Sequence, residues 1–455
     1  MRVWQGFARF WIVLGLMLGL AGPAWGAATP SDRLAEQQFF NHVWQIVNRA
    51  YLDPDFNHQN WYKVRKKFNS RNFENREDTY RAIEELLASL DDPYTRFLPP
   101  DRFATMTTST AGSLTGVGLQ IAVDPDTATL VVVSPIEGSP AEKAQLQPLD
   151  RIVAIDGVPT TGLTLDECAE KMRGEIGSKV RLTVVRNRQG KLPAFDRTNL
   201  FEGKEEIGGN PEGDRFEVEL IRDTIRVNPV VTHLNQDNGH TIGYIRLSQF
   251  NGNAAAEVAK AIREQEAAGA EAYVLDLRGN PGGLLAAAVE IARLWIPEGP
   301  IVYTVDRQGI ADTYQATGQA LTPKPLAVLV NGGSASASEV VSGALQDSGR
   351  AVLVGTRTYG KGLIQSLFTL EDQSGLAVTI GRYETPNHRD INKIGIAPDR
   401  EVPLLNPLSR QEAGTNLDEQ YRVAAEWLTQ RIAAAPGSTG PSPGPANSPE
   451  PRAAG

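Results

Sequence analysis

Apolar positions change their period along the chain. Phe39, Phe40, Val43, Trp44, Ile46 and Val47 recur at helical spacing, as do Tyr80, Ile83, Leu86, Leu87 and Leu90, which predicts a small helical region over residues 29–104. Pro93, Pro99 and Pro100 stop its helices and force turns. From about Gly112 short apolar strands take over: Gly116 to Val123, Thr129 to Val133, Arg151 to Ile155, Val180 to Val185 and Phe216 to Ile221. Helical segments lie between them near Pro140 to Ala144 and from Leu165 to Met172. The polar, glycine-rich stretch 187–214 reads as a mobile surface loop inserted before the last of these strands. Strands then alternate with helices: Thr241 to Leu247, a helix from Ala254 to Ala268, Ala272 to Leu277, a helix from Leu284 to Trp295, Leu326 to Val330, and a helix from Ser338 to Gln346. Such alternation predicts an α/β domain with a largely parallel sheet over residues 223–432. Residues 433–455 are mostly Pro, Gly, Ser and Ala without periodicity, the composition of a disordered tail.

The first residues follow a different rule. Arg2 and Arg9 precede an apolar run from Phe10 to Ala21, and small residues follow at Ala24, Gly26, Ala27 and Ala28. This is the layout of a cleavable signal peptide over residues 1–28, with an uncleaved anchor as the alternative because the run is only a little shorter than a spanning helix. Export is expected, with no stable membrane span after cleavage. Loss of Arg2 and Arg9 takes the formal charge from −9 to −11. The mature chain is acidic and has no basic block, which argues against nucleic acid as a partner. Cys168 is the only cysteine, so stability rests on packing and no internal disulfide can form.

Residues 105–222 resemble a PDZ domain. The likeness rests on Gly116-Val117-Gly118-Leu119, similar to a glycine-flanked carboxylate-binding loop, and on Gly138-Ser-Pro-Ala-Glu-Lys-Ala-Gln-Leu146 followed by Asp150-Arg-Ile-Val-Ala-Ile-Asp-Gly157. Such domains add a peptide's C-terminus to a sheet edge while turn amides hold its carboxylate. Gln145 and Leu149 stand where glycine is usual, which puts the local turn geometry in question.

Two glycine turns carry candidate chemistry. Ser336 lies in Asn331-Gly-Gly-Ser-Ala-Ser-Ala-Ser-Glu339, between an apolar strand and a helix, and Lys361 in Gly355-Thr-Arg-Thr-Tyr-Gly-Lys-Gly362. A serine at a helix start is either a cap or a nucleophile. Here three serines alternate with alanines, so Ser338 can cap while Ser336 stays free, and helix-start amides offer donors to an oxyanion. Gly355 to Lys361 has the spacing of a phosphate-binding loop, yet Gly362 replaces the required Ser or Thr, and Leu363 to Leu370 alternates like a strand where that motif needs a helix. With Leu363 onward as a strand, Lys361 and Gln365 share parity, which permits a lysine base oriented by an amide. Acting as a base near neutral pH requires lowering the lysine pKa by about three units from roughly 10.4, within reach of burial. His42, His58, His233, His240 and His388 are scattered. No metal or cofactor site is expected.

The segments Asp276-Leu-Arg-Gly-Asn-Pro-Gly-Gly283, Asn331 to Asp347 and Gly355 to Gln365 together resemble the carboxyl-terminal processing peptidases, in the order helical region, PDZ domain, α/β protease core. Asp91 to Leu98 and the helical region look most like members from photosynthetic organisms. The resemblance implies Ser336 as nucleophile, Lys361 as general base, Gln365 as its orienting partner, and the amides of Gly282 and Ala337 as oxyanion hole. It also implies that Arg173 couples peptide capture to the active site, and that the substrates are proteins with a free C-terminus, a photosystem II reaction-centre precursor among them. A non-catalytic peptide-binding scaffold is the alternative.

Overall fold

The structure is a computed structural model that describes residues 30–124, 127–186, 207, 213–404 and 412–434. The signal segment 1–28, nearly all of the inserted stretch 187–214 and all but the first residues of the tail 433–455 lie outside those residues.

Residues 30–49 and 55–91 form one compact unit. Its helices are α1 (Pro30–Ala50), α2 (Trp61–Asn69) and α3 (Arg76–Ala88). The stripe read from the sequence is the buried one: Phe39, Phe40, Val43 and Val47 of α1 and Ile83 and Leu86 of α3 are fully enclosed. Helix α2 was hidden by its charges, Lys63, Arg65, Lys66 and Lys67. It begins where the Asn60 side chain accepts the Lys63 amide, and it supplies Phe68, which stacks on Phe40 at 5.4 Å.

The second unit comprises residues 50–54 and the chain from Asp92. It opens with β1 (Arg96–Leu98) and α4 (Pro100–Ala111). Pro99 and Pro100 therefore start a helix as well as ending the preceding pattern, because proline is tolerated at a first helical position whose N–H has no partner.

The PDZ-like portion contains β2 (Ser113–Gly116), β3 (Leu119–Asp124), β4 (Thr129–Pro135), α5 (Pro140–Lys143), β5 (Arg151–Ile155), β6 (Val158–Pro159), α6 (Leu165–Met172), β7 (Lys179–Arg186) and β8 (Asp214–Ile221). The sheet order is β3-β4-β5-β7-β8, with β6 on β5, and β9 (Asp223–Arg226) returns to pair with β2. Leu130, Val132, Ile152, Ile155, Leu182 and Val184 meet Cys168 and Met172 of α6 in its core. Gln145 and Leu149 adopt left-handed backbone, φ 58° and 74°. The turns keep the geometry glycine would give, held here by side chains that strain it.

The rest comprises β10 (Val230–Asp237), β11 (His240–Leu247), α7 (Ala254–Ala267), β12 (Ala272–Asp276), α8 (Leu285–Arg293), β13 (Pro300–Asp306), β14 (Gly309–Gln315), β15 (Leu326–Val330), α9 (Ala337–Asp347), β16 (Val352–Gly355), β17 (Leu363–Thr369), β18 (Gly375–Glu384), β19 (Arg400–Glu401) and α10 (Glu419–Ala433). One sheet runs β10-β11-β12-β15-β16-β19. Alternate residues of its strands face opposite cores: Tyr273, Leu275, Leu326 and Val328 join the side covered by α7, α8 and α9, while Val274, Ala327 and Leu329 join the side covered by α10. Burial on both faces explains why these strands read as continuous apolar runs.

The expectation of a largely parallel sheet needs correction. Among the described residues, parallel ladders number four, all in this one sheet, whose β10–β11 pairing is antiparallel. A second sheet, β1-β18-β13-β14 with β17 also on β18, is antiparallel throughout, as is the PDZ-like sheet. Most strand pairing in the molecule is thus antiparallel. The second sheet matters for the site, because β17 leaves directly from the Lys361 turn.

Candidate active site

Ser336 sits where β15 gives way to α9. Its φ of 55° is left-handed, unusual outside glycine, and the residue is buried. It occupies the N-cap position of α9, with Glu339 three residues on. The Glu339 carboxylate accepts the Ser336 amide at 2.9 Å, and the Glu339 amide donates to the Ser336 carbonyl at 2.8 Å, so the hydroxyl makes no cap hydrogen bond. The expected division of labour among the serines changes accordingly. Ser338 does not cap: its hydroxyl donates to the Asn280 carbonyl at 2.8 Å, and that of Ser334 to the Leu277 carbonyl, also at 2.8 Å. With Asn331 Oδ1 accepting the Gly279 amide and the Ala335 amide donating to the Asn280 carbonyl, these bonds lace the Arg278–Gly283 turn to the serine turn.

The Ser336 hydroxyl lies beside the phenol of Tyr383 on β18. Burial pushes that phenol up to about 12, and the hydrogen bond with Ser336 works the other way.

Lys361 lies in the loop before β17 and is half-buried. Its flanking glycines permit close packing that side chains would block: a Cβ on Gly362 would fall 2.6 Å from the Asn392 nitrogen, and one on Gly360 3.0 Å from those of Ile394 and Gly395. Burial holds the Lys361 ammonium below the ordinary lysine range. Arg96 adds to this, and Asp92 and Glu339 oppose it.

One buried carboxylate joins the two turns. Besides the Ser336 amide, Glu339 accepts the Lys361 amide at 2.8 Å, the Gly360 amide at 2.7 Å and the Thr358 hydroxyl at 2.6 Å. Its four acceptor positions are thereby filled, which is how a charge with no exposed surface is tolerated. Glu339 was legible only as a member of a serine motif. The signal for its role was the spacing Ser336-x-x-Glu339, that of a capping box.

The remaining expected residues divide. The Ala337 amide is the first of α9 and donates to no described residue, so it is available to an anion. Gly282 packs against the Ser336 Cβ and the Ala337 nitrogen, yet its own amide already donates to Asn280 Oδ1 at 2.9 Å. Gln365 is on β17 opposite Thr379, and its Nε2 is buried without an acceptor among the described residues. No hydrogen bond joins Lys361 to Gln365 or to Ser336. Leu363 onward is a strand as expected, but Lys361 precedes its first paired residue and the register shifts between Ile364 and Gln365, so strand parity does not relate the two side chains. The lysine Nζ instead stands over the ring of Tyr94, 4.8 Å from its centroid.

The Arg278 guanidinium anchors the neighbouring turn. It binds Asp276 at 2.9 and 2.6 Å, Asp418 at 3.0 and 2.6 Å, and Gln420 at 2.9 Å, all buried. Burial works against the Asp276 charge, and Arg278, with Arg246 and the Tyr244 hydroxyl, holds the carboxyl below its usual range.

In the PDZ-like portion, Val117 is buried and the amides of Val117 and Gly118 donate to no described residue, whereas the carbonyls of Val117 and Gly118 accept from Ala141 and Ile136. Gly116 ends β2 and Leu119 begins β3, the edge strand. Arg173 follows α6 and is exposed, with no ion pair to a described residue. Arg222, which the sequence did not single out, fixes that corner by donating to the carbonyls of Lys171, Met172 and Lys179.

Three comparisons bear on this geometry. Residues 241–402 match peptidase family S41, residues 131–186 a PDZ domain, and residues 33–88 the Tricorn protease C1 domain. The chain is 48% identical over 429 residues to a carboxyl-terminal-processing protease of Picosynechococcus sp., covering 94% of this chain and 96% of that one. It is 40% identical to carboxyl-terminal-processing peptidase 2, chloroplastic, of Arabidopsis thaliana, covering 85% and 71%. Among solved structures, a photosystem II D1 C-terminal processing protease matches with a TM-score of 0.53 and 38% identity, covering 86% of this chain and 97% of that one.

Proposed function

The chain belongs to peptidase family S41, among its PDZ-containing carboxyl-terminal-processing proteases, and on that premise we propose that Ser336 and Lys361 are its catalytic dyad. Lys361, as the free amine, takes the proton of the Ser336 hydroxyl. The alkoxide attacks a peptide carbonyl, the acyl-enzyme forms with loss of the C-terminal piece, and water hydrolyses it. The Ala337 amide receives the developing oxyanion, joined by Gly282 once its amide leaves Asn280. Gln365 then meets the Lys361 amine with its side-chain amide.

The observation that carries this proposal is the Glu339 carboxylate, which holds the backbone of Ser336 and of Lys361 within 2.9 and 2.8 Å of one oxygen. The lysine's lowered proton affinity supports the same assignment. The proposal extends to export directed by residues 1–28, to the boundaries 29–104, 105–222 and 223–432, and to capture of a free C-terminus by Gly116 to Leu119 with Arg173 relaying occupancy. The match to a photosystem II D1 C-terminal processing protease makes that class of precursor the first substrate to try.

The test is a digest of exported proteins by wild type, Ser336→Ala and Lys361→Ala, with new C-termini mapped by mass spectrometry. New termini should appear with wild type alone. Cleavage by either variant would refute the dyad, and binding of free C-termini without turnover by wild type at any pH would favour a scaffold.

A further inference from the structure

The segment Asp92-Pro-Tyr-Thr-Arg96 has no role in the mechanism above, yet the structure places it against Lys361. It is rigidly held. Asp92 Oδ1 accepts the Tyr94 amide at 3.0 Å and Asp92 Oδ2 the Thr95 hydroxyl at 2.6 Å, while Thr95 Oγ1 accepts the Thr379 amide at 3.0 Å. Strand β1 continues the attachment to β18, with Arg96 opposite Ala377 and Phe97 opposite Leu376, and Phe97 is buried. Tyr94 is therefore presented by a fixed backbone, and its phenol is further paired with that of Tyr359, two residues before the lysine.

The Lys361 Nζ makes no hydrogen bond or ion pair with a described residue, and it stands over the face of Tyr94, 4.8 Å from the ring centroid. An aromatic face attracts a cation through its quadrupole and has no such attraction for a neutral amine. The protonation state that the ring favours is the one in which Lys361 cannot act as a base.

We propose that Tyr94 is a resting-state latch for the general base: its ring stores Lys361 as an ammonium away from Ser336, and activation begins when the side chain leaves the ring. On leaving, the ammonium passes its proton to water, and the amine then accepts the Ser336 hydroxyl proton. Tyr94 is a positioning residue in this scheme, and the inference rests on the dyad assignment. The charged groups facing Lys361 are Arg96 from β1, which disfavours the ammonium, and Asp92 and Glu339, which favour it. Tyr94 adds to the latter pair.

The test uses the full chain with Tyr94→Leu, Tyr94→Phe and Tyr94→Trp, measuring kcat/KM against pH on a peptide with a free C-terminus. Loss of the ring removes stabilisation of the ammonium, so the acid limb of Tyr94→Leu should move to lower pH, raising kcat/KM on that limb by about two- to thirtyfold. Tyr94→Phe should superimpose on wild type, and Tyr94→Trp, the stronger cation binder, should move the limb upward. An acid limb that stays put or rises in Tyr94→Leu, or a Phe variant that behaves like Leu, overturns the latch. If Tyr94→Leu does not fold, the Trp and Phe limbs decide alone, and a Trp limb that fails to rise overturns it. A second readout is independent of turnover: in a Ser336→Ala background, NMR titration of isotopically methylated Lys361 should give a lower pKa with Tyr94→Leu. Residual cleavage by Ser336→Ala would indict the dyad, whereas an inert Ser336→Ala with an unmoved Lys361 titration would indict only the latch.

Discussion

Replacing Glu339 by glutamine tests how far the site depends on one buried charge. The carboxylate accepts four donors, two at each oxygen: the Ser336 and Lys361 amides at Oε2, and the Gly360 amide and Thr358 hydroxyl at Oε1. Glutamine can present its carbonyl to only one pair. In the less damaging orientation the carbonyl keeps the Ser336 and Lys361 amides, and the NH2 group faces Thr358 and Gly360. The Gly360 amide cannot turn away, and the Thr358 hydroxyl already accepts the Ile396 amide at 2.7 Å, so its own proton loses its acceptor. An unsatisfied buried donor costs about 1–3 kcal/mol. If that cost falls on the geometry of the two turns, kcat/KM should drop by roughly five- to 150-fold. The assay is kcat/KM beside a thermal melt, because the same free energy expressed in folding would lower the melting temperature instead. Glu339→Ala, which abandons all four donors, should be worse in both. A Glu339→Gln protein with wild-type kcat/KM and an unchanged melt would refute the idea that this carboxylate aligns the site.

Three further outcomes are expected. In the proposed dyad Lys361 acts as the free amine, so kcat/KM should rise with pH through its lowered pKa; Arg96→Gln, which removes a charge that lowers it, should move that limb to higher pH, and Lys361→Arg should be inactive at every pH, since arginine stays protonated. Asp418→Ala leaves Arg278 with half of its counter-charge and should destabilise the protein by about 3–5 kcal/mol in urea melts; an unchanged midpoint would count against it. Leu149→Gly relieves left-handed strain and should stabilise the PDZ-like portion by about 0.5–1 kcal/mol in the same assay, and a loss of stability would contradict the strain.

The sequence carried information about the site unevenly. Ser336 and Lys361 were legible because each interrupts an apolar strand at a glycine turn, and Glu339 holds the backbones of those turns together. Gln365 was read by parity, which applies only inside a strand, and Lys361 lies before β17 starts. The parallel core was legible from strands such as Leu326–Val330, apolar throughout because both faces are covered. The second sheet was not, since β13 is buried or half-buried along its whole length without a period of two, β14 is exposed at nearly every position, and the buried run of β18 was not read as a strand. Tyr94 and Arg96 could not have been assigned to the lysine from local pattern at all. Their neighbourhood is created by β1 pairing with β18, a contact that no periodicity encodes.

The Arg278 anchor also has a consequence in time. Its partner Asp418 follows it by 140 residues and caps α10 through the Tyr421 amide. At a synthesis rate of roughly 5–20 residues per second, about 7 to 28 s separate the two side chains during translation. Through that interval the Arg278–Gly283 turn has an arginine with only Asp276 to answer its charge. A growing chain therefore carries Arg278 well before the clamp around it can close, and the turn beside the candidate site gains its full anchorage only when α10 has been made.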